Sequence, residues 1–388
     1  MCGTEKTTVN RLNKPRQTID HLVIGGGPAG SMVAMRLAAA GRDVTLLEKE
    51  RSAHHKVCGE FLSGEAIDYQ RLAGVNPLDL GAATIRSIRL CSKHGVAEAA
   101  LPFTALSLSR YALDAAMMAR AAESGCEVRL GSLVTRLTRR DDDWLVELQN
   151  GEVLRARTVF LANGKHDLRG WERGHGVQGD LIGFKMHWQL APAQIEDLRG
   201  ALEMFLFRGG YGALSLVEGD AANLCLVVRR SELRRIGGWS ELLADLLDGS
   251  RQLRKRLHCA KALWDRPLAI SPIPYGYLVR GGSSLWCIGD QAAVIPSFTG
   301  NGMSIALHSG RLAAEMFLAG AREDEFHRRL HKQLRRGMSL ATLISRAMVT
   351  GAGRMMMPHS LSLYPNTMRW IAASTRIPEW ALLTKPVS

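Results

Sequence analysis

The first part of the chain combines short apolar runs with a helical segment, which is the pattern of a βαβ unit. Residues 20–24 form an apolar run that ends at three glycines, and residues 31–40 are rich in helix formers before Gly41. Residues 42–47 form a second apolar run, so we predict a strand, a glycine turn, a helix and a parallel strand. A helical segment at 113–124 and strand-like runs at 126–130, 144–148 and 158–162 indicate that this sheet continues.

From about Leu181 the pattern changes to apolar runs of strand length separated by turn residues. The runs GFKMHWQL, ALEMFLF, YGALSLVE and ANLCLVVRR are separated by Gly, Pro, Asp or Asn. This spacing predicts an antiparallel sheet. Arginine-rich helical segments follow to about Leu263, then a buried strand at residues 285–288 and a long amphipathic helix from Asn301 to Ala319. Residues of the first domain are therefore expected to return after an inserted second domain.

Composition excludes several classes of protein. The 388 residues carry 50 Lys+Arg and 37 Asp+Glu, a formal net charge of +13, but the arginines are spread over helical segments and indicate solvated helix faces rather than a nucleic-acid site. Seven cysteines without CxxC spacing predict neither a disulfide scaffold nor a metal site. No segment has the length and apolarity of a signal peptide or a membrane span, so we expect a cytoplasmic protein, with peripheral membrane contact left open.

Glycines between the first strand and helix match the dinucleotide-binding pattern GxGxxG. Gly25 permits the tight turn, Gly27 lets the backbone approach a pyrophosphate, and Gly30 allows the helix to pack against the strand. Glu48 ends the second strand, where a carboxylate hydrogen-bonds the hydroxyls of an adenosine ribose. A carboxylate would repel a 2′-phosphate there, so FAD or NAD is favoured over NADP.

A second glycine-rich constellation precedes the long helix. The segment GDQAAVIPSFTGNGMSIALHSGRLAA, which begins at Gly289, resembles the C-terminal flavin motif of FAD proteins such as para-hydroxybenzoate hydroxylase, geranylgeranyl reductases and flavin halogenases. The resemblance implies that Asp290 hydrogen-bonds the ribityl chain and that the backbone of residues 300–303 faces the pyrimidine edge of the isoalloxazine. A helix N-terminus offers free N–H groups and positive partial charge there.

Further segments extend this resemblance. Residues 56–60 resemble the K-x-C-G segment that runs beside the flavin, residues 109–114 resemble an S-R-x-x-L-D helix start whose Arg approaches the cofactor, and Val134 takes the place of a backbone contact to adenine. A buried core cysteine and a solvated surface lysine are the alternative interpretations of Cys58 and Lys56. The predicted cofactor-binding residues are Gly25, Gly27, Pro28, Ala29, Gly30, Glu48, Lys49, Lys56, Cys58, Gly59, Arg110, Val134, Gly289, Asp290, Gly300, Asn301, Gly302 and Met303.

The resemblance implies an α/β fold in which a Rossmann-like FAD-binding domain with a parallel sheet carries an inserted antiparallel or mixed sheet and a C-terminal helical segment. We predict a polar N-terminal extension over residues 1–18 and a discontinuous FAD-binding domain over residues 19–170 and 265–320. The substrate-binding sheet domain is predicted over residues 171–264, and the C-terminal helical segment over residues 321–388.

The predicted function is that of an FAD-dependent oxidoreductase with non-covalent FAD. In the group that the chain resembles, a reduced nicotinamide, NADH or NADPH, reaches the flavin transiently, and the reduced flavin then activates oxygen or reduces a substrate. We rank a biosynthetic monooxygenase first and a reductase of isoprenoid or lipid C=C bonds second. A non-catalytic flavin-binding protein is the third alternative. No catalytic acid or base is assigned from the sequence.

The substrate is expected to be bulky and apolar, of aromatic, polyketide-like or isoprenoid type. Apolar strands in the middle region and the methionines Met355, Met356, Met357 and Met368 suit such a ligand better than a small acid, which needs fixed cationic donors. Core filling is the alternative role of these methionines. The predicted substrate pocket comprises His187, Tyr211 and Phe298.

Overall fold

The structure, a computed structural model, describes residues 18–92, 95–282, 284–350 and 365–384. It confirms the predicted α/β class, because two large sheets and a two-stranded one lie among helices. In chain order the helices are α1 (Pro28–Ala39), α2 (Gly64–Leu72), α3 (Arg110–Glu123), α4 (Pro192–Leu198), α5 (Arg230–Ile236), α6 (Trp239–Gly249), α7 (Arg251–Leu257), α8 (Gly302–Leu318), α9 (Glu323–Met348) and α10 (Pro365–Ser374).

The strands follow the turn and alternation signals of the sequence. In chain order they are β1 (Ile19–Ile24), β2 (Val44–Leu47), β3 (Phe61–Leu62), β4 (Ala83–Ser92), β5 (Gly95–Ser107), β6 (Glu127–Arg129), β7 (Val134–Arg140), β8 (Asp143–Leu148), β9 (Val153–Leu161), β10 (Leu181–Gln189), β11 (Gly200–Phe207), β12 (Gly210–Leu216), β13 (Ala222–Arg229), β14 (Lys261–Ala262), β15 (Leu268–Ile270), β16 (Tyr277–Leu278), β17 (Trp286–Cys287) and β18 (Ala293–Val294).

The first sheet contains the predicted βαβ unit. Its strand order is β6-β2-β1-β9-β8-β7, and β1 pairs in parallel with both β2 and β9. Strand β17, from the last third of the chain, also pairs in parallel with β9. The chain therefore returns to the first sheet after the inserted segment, as the sequence predicts.

Helices α1 and α8 pack together on one face of the first sheet, and glycines set their distance. A Cβ atom at Gly310 of α8 would lie 2.4 Å from the carbonyl oxygen of Ala29 in α1. Because only glycine leaves that space free, the two helices approach closely and bury their shared face. Both helix N-termini consequently lie at the same end of the sheet, where Pro28 and Gly302 line one cavity.

The second sheet is larger than the sequence predicts. Its order is β14-β10-β13-β12-β11-β4-β5-β3, with β15 beside β10. Pairing from β10 to β11 is antiparallel, as predicted. Strands β3, β4 and β5, however, lie in this sheet and not in the first, although the predicted boundaries placed them with residues 19–170. Strand β4 joins this sheet by pairing in parallel with β11. Because the two strands are far apart in sequence, no local pattern reveals the contact.

The C-terminal segment contains a long basic helix. The outward face of α9 exposes Arg328, Arg329, Lys332, Arg335 and Arg336, which is the solvated face that charge patterning predicts. Met355, Met356 and Met357 lie outside the described residues, and the side chain of Met368 is not described. In the part of the chain that the structure describes, no helix is long and apolar enough to cross a membrane.

Candidate functional site

A cavity of about 610 Å³ lies where the carboxyl ends of the parallel strands meet the second sheet. Ile24 at the end of β1, Glu48 after β2 and Ala162 after β9 all line it. The chain leaves β1 toward a helix while β2 and β9 flank β1 on opposite sides, so this is the switch point of the sheet. Dinucleotides bind at such a point in open α/β sheets.

The glycine turn after β1 has room for backbone only. A Cβ atom at Gly25 would lie 2.5 Å from the carbonyl oxygen of Ala162, and one at Gly30 would lie 1.9 Å from the carbonyl oxygen of Gly25. Gly27 is the N-cap of α1 and supplies no side-chain cap. The first amides of α1 are therefore available to a phosphate in the cavity.

Glu48 is oriented by the backbone around it. Its side chain is buried and accepts hydrogen bonds from the amide of Gly26 at 2.8 Å and from the amide of Glu50 at 3.1 Å. These two bonds fix the carboxylate beside the glycine turn. A carboxylate held in this way can accept hydrogen bonds from the two hydroxyls of a ribose.

Arg110 and Lys56 share one buried carboxylate at the cavity wall. The Arg110 guanidinium donates two hydrogen bonds of 2.7 Å to Asp114, and Lys56 Nζ lies 2.9 Å from Asp114 Oδ2. Burial by itself would raise the pKa of Asp114, but the two cations outweigh it and hold the pKa below its usual 3.8. Asp114 thus fixes two cations that line the cavity.

Asp290 is paired with a lysine that the sequence analysis did not single out. Lys165 Nζ lies 3.0 Å from Asp290 Oδ2, and Arg173 donates to the carbonyl oxygen of Asp290 at 2.9 Å. Burial would raise the pKa of Asp290, but the charge of Lys165 outweighs it and lowers the pKa. The carboxylate is therefore ionised at the cavity wall and can accept a hydrogen bond from a ribityl hydroxyl.

The N-terminus of α8 also points its free amides at the cavity. Its N-cap, Asn301, supplies no side-chain cap because its amide donates to the carbonyl oxygen of Thr375 at 3.0 Å. Gly300 has a φ of 68°, and a Cβ atom there would lie 2.5 Å from the ring of Phe61. Two helix N-termini without side-chain caps, the buried carboxylate of Glu48 and the partly exposed carboxylate of Asp290 form a donor and acceptor set that fits FAD.

One part of the cavity lining is mostly apolar. Side chains of the second sheet and of the loop after β15 form it, namely Cys225, Val227, Leu268, Ile270, Ile273 and Tyr275. Burial raises the pKa of the Cys225 thiol to about 12, so the thiol is protonated. This wall can cover an apolar ligand and exclude water.

Most of the predicted cofactor-binding residues meet at this cavity. Among the described residues, all of that set line it except Gly30 and Asn301, which lie behind its glycine turns. Cys58 and Lys56 both line the cavity. This position does not favour the alternative interpretations, a buried core cysteine and a solvated surface lysine. Their contact with FAD stays a prediction.

The structure places the predicted substrate-pocket residues behind the cavity wall. His187, Tyr211 and Phe298 are not among the described residues that line it. Tyr211 packs edge-on against Phe298 with ring centroids 6.1 Å apart, and its hydroxyl meets Ser297, which does line the cavity. A place on the predicted sheet, as for His187 and Tyr211, does not specify which side chains reach the ligand space.

The sequence analysis also missed residues that reach or support the cavity. Glu60 lies in the quoted segment 56–60 but was not assigned a role, and Lys185 was treated as part of a strand. The signal for Lys185 was its spacing from His187, because polar residues at alternate positions of an apolar strand indicate a buried polar face.

Comparisons with known proteins agree with this geometry. Residues 18–159 match the family model described as an FAD binding domain. The chain is 28% identical to menaquinone reductase of Mycolicibacterium smegmatis, over 79% of this chain and 78% of that protein. It is also 28% identical to digeranylgeranylglycerophospholipid reductase 2 of Methanopyrus kandleri, with the same shares covered. The chain therefore carries a match to an FAD binding domain and is similar over most of its length to two reductases.

Solved structures of similar fold cover almost all of this oxidoreductase. A flavoprotein/dehydrogenase from Cytophaga hutchinsonii superposes with a TM-score of 0.75 at 17% identity, over 95% of this chain and 93% of that one. The myxobacterial chondrochloren halogenase superposes with a TM-score of 0.74 at 18% identity, with the same coverage. These likenesses confirm the predicted fold. The match to the FAD binding domain and the similarity to the two reductases confirm the resemblance to FAD proteins given above.

Two carboxylates allow a test of how this oxidoreductase holds FAD. Glu48→Ala and Asp290→Ala are each expected to weaken FAD binding by about 1–3 kcal/mol, the range for hydrogen bonds to charged groups. Titration of the apoprotein with FAD measures the change. Asp248→Ala, at an 85% exposed side chain, is the control and should leave the affinity unchanged. Unchanged affinity in both cavity variants would contradict a shared ligand.

Proposed function

We propose that this FAD-dependent oxidoreductase reduces a carbon–carbon double bond of a bulky apolar substrate of polyprenyl or quinone type. The observation that carries the proposal is the shape of the cavity, which joins the dinucleotide cradle to the apolar wall of Val227, Leu268, Ile270 and Ile273. A substrate would fit there if its reacting carbons lie beside the flavin and its long apolar group lies against this wall. The sequence analysis ranked oxygen activation first, and reduction takes its place because curated relatives spanning most of this chain are named reductases.

Charges in the cavity support an apolar substrate. Lys56 and Arg110 are paired with Asp114, and Lys165 is paired with Asp290. A small acid would have to compete with these carboxylates for its cationic donors. An apolar substrate has no such requirement and instead gains from burial against the second sheet.

Bound FAD supplies hydride transfer in this scheme. The chain's own residues bind, orient and shield. Glu48 and the first turn of α1 would hold the adenosine and the pyrophosphate, while the first turn of α8 would stabilise negative charge on the ring through its free amides. The wall that includes Ile270 and Tyr275 would exclude water from the reacting carbons.

We also propose that a reduced nicotinamide supplies the electrons. The sequence has one dinucleotide fingerprint, at Gly25–Gly30, so the donor would reach the same cavity transiently rather than occupy a second domain. The donor is NADH or NADPH, and the sequence favours neither. A cytoplasmic location and the oxygen-activating alternative stay predictions.

Anaerobic stopped-flow spectroscopy distinguishes reduction from oxygen activation. Protein reduced with NADH or NADPH is mixed with a polyprenyl alcohol or menaquinone, without oxygen in one arm and with oxygen in the other. We expect the flavin absorbance to return without oxygen and the product to gain two hydrogen atoms at a carbon–carbon bond of the polyprenyl chain, which distinguishes it from reduction of the quinone ring to a quinol. Return only in the oxygen arm, with oxygen consumed in proportion to an oxygenated product, would replace reduction by oxygen activation. A small hydrophilic acid serves as the negative control.

A further inference from the structure

A buried ionic cluster lies beside the cavity on the second sheet. Lys185 and Glu60 are both fully buried and form an ion pair, and Nε2 of His187 lies 2.9 Å from Glu60 Oε2. Glu60 lines the cavity, whereas Lys185 and His187 lie behind it. Burying an ion pair costs desolvation energy, and an apolar pair of similar volume often stabilises a fold better. The cluster is therefore poorly explained by stability alone.

Strand β10 places the cluster by its alternation. Phe184, Met186 and Trp188 pack in the core against helices α6 and α7. Lys185 and His187 point to the opposite face, because successive side chains of a strand alternate. Their register partners on β13 are Cys225 and Asn223, so a polar strip faces the segment that contains Glu60.

Glu60 gathers three donors. The amide of Arg110 donates to its Oε1 at 2.8 Å, Lys185 Nζ donates to the same oxygen, and His187 contacts the other oxygen. Burial would raise the pKa of Glu60, but the hydrogen bond from His187 and the charge of Lys185 outweigh it and lower the pKa. The carboxylate is thus ionised, and a proton on His187 is shared with it.

His55 connects the cluster with the cavity. It lines the cavity, is half-buried, and its ring centroid lies 4.9 Å from that of His187. A ring nitrogen of His55, a nitrogen of His187 and an oxygen of Glu60 lie within 4.8 Å of one another, which leaves room for one bridging water. The Tyr111 ring stacks on the imidazole with ring centroids 5.2 Å apart, and the Trp264 ring is tilted against it with centroids 4.8 Å apart. The Nδ1 atom of His55 has no hydrogen-bond partner among the described residues.

Two imidazoles and a carboxylate are also a donor set for a divalent metal ion. The ammonium of Lys185 on Glu60 opposes that use, because it already neutralises the carboxylate and would repel a second cation. Because Lys185 already neutralises Glu60, we favour proton transfer over metal binding as the role of the cluster.

We propose that His55 delivers a proton to the substrate in the cavity and that Glu60, Lys185 and His187 position it and replace that proton. The inference rests on the proposed function. Reduction of a double bond adds a hydride to one carbon and a proton to the other. The hydride comes from the reduced flavin. With its pKa lowered to about 4, His55 is neutral at neutral pH, so it gives its single ring proton to the substrate carbon while its other ring nitrogen takes up a proton from a water held by His187 and Glu60. Solvent replaces the proton of that water.

His55→Gln and His187→Gln test the proposal in the holoenzyme. We expect each to slow substrate-dependent flavin oxidation about 100-fold and to change its pH profile, the usual effect of losing a general acid. FAD affinity and the rate of reduction by nicotinamide should stay unchanged. His308→Gln is the matched control, since His308 is fully buried, hydrogen-bonds Tyr69 and Gln333, and lies outside the cavity lining. Rates within about twofold of wild type in both cluster variants would overturn the proposal.

A second readout needs no substrate. Burial, Lys185 and His187 lower the pKa of His55 to about 4, whereas Glu60 and Glu218 act in the opposite direction. In an NMR titration of the histidine rings, Lys185→Met should raise the pKa of His55, and Glu203→Gln, in another buried ion pair, should not move it. A pKa of His55 that is indifferent to Lys185 would overturn the proposal even if the substrate class proves different.

The same samples distinguish two other results. If the protein turns over only with oxygen, the proposed reduction fails, and the pH profile is then measured on the step that the accepted substrate accelerates. An altered profile in that step supports proton delivery by His55, and an unaltered one overturns it. Stoichiometric metal in the purified protein, with loss of turnover on chelation, would replace the proton role by a metal site.

Discussion

Gly30→Ala is expected to abolish FAD retention. The added Cβ atom would lie 1.9 Å from the carbonyl oxygen of Gly25, which is backbone and has no rotamer to change. Either α1 moves away from β1 or the glycine turn opens, and both changes misplace the amides that would receive the pyrophosphate. Flavin absorbance of the purified protein and titration of the apoprotein with FAD measure the loss.

Gly249→Ala is the matched control for that variant. Gly249 ends α6 and lies outside the cavity lining, and a Cβ atom added there would meet no atom of the described residues within 4 Å. Alanine should stabilise this helix end by up to about 1 kcal/mol or leave it unchanged. Normal FAD retention by Gly30→Ala would contradict the close packing of α1 on β1.

Asp114→Asn is expected to lower the free energy of unfolding by about 3 kcal/mol, because it leaves Arg110 and Lys56 at the cavity wall without their counter-ion. Asp114 is 3% exposed and accepts both guanidinium hydrogen bonds. Urea unfolding at neutral pH measures the change. Asp248→Asn removes the carboxylate of an ion pair whose aspartate side chain is 85% exposed, and should cost about 0–1 kcal/mol.

The pH dependence of that difference follows from the direction of the pKa shift. The folded-state pKa of Asp114 is below its usual 3.8, so its stabilising contribution is present above that value. The contribution is lost as pH falls through the lower folded-state pKa. Wild type and Asp114→Asn should therefore differ fully above about pH 4 and converge in stronger acid. A difference that persists unchanged in strong acid would contradict the assigned ion pair.

The first sheet could be predicted because its signals are local. The apolar run of β1, the glycine turn and the helix formers of α1 lie next to one another in sequence, and each has one structural meaning. The apolar run at residues 285–288 predicts the return of the chain to the first domain, but not the pairing of β17 with β9. The membership of β4 and β5 in the second sheet could not be predicted, because it depends on the distant pairing of β4 with β11.

The residues of the candidate site also divide into those with a local sequence signal and those without one. Residues predicted to contact a cofactor through glycine turns or strand ends, such as Gly25 and Glu48, carry a local signature. Lys165 and Glu60 gain their roles from partners at distant positions, Asp290 and Lys185, and neither pair has a fixed spacing. Tyr211 is predicted in the substrate pocket because it lies on a strand of the second sheet. Its side chain, however, packs behind the cavity wall.

The most direct test of the central claim identifies the molecule that occupies the cavity. Purified protein is denatured by heat, and the released chromophore is separated by chromatography and compared with FAD and FMN. We predict FAD, released without covalent attachment from wild type and retained less by Glu48→Ala. FMN, or no flavin after reconstitution with FAD, would contradict the assignment of the glycine turn and of the α8 N-terminus to one dinucleotide.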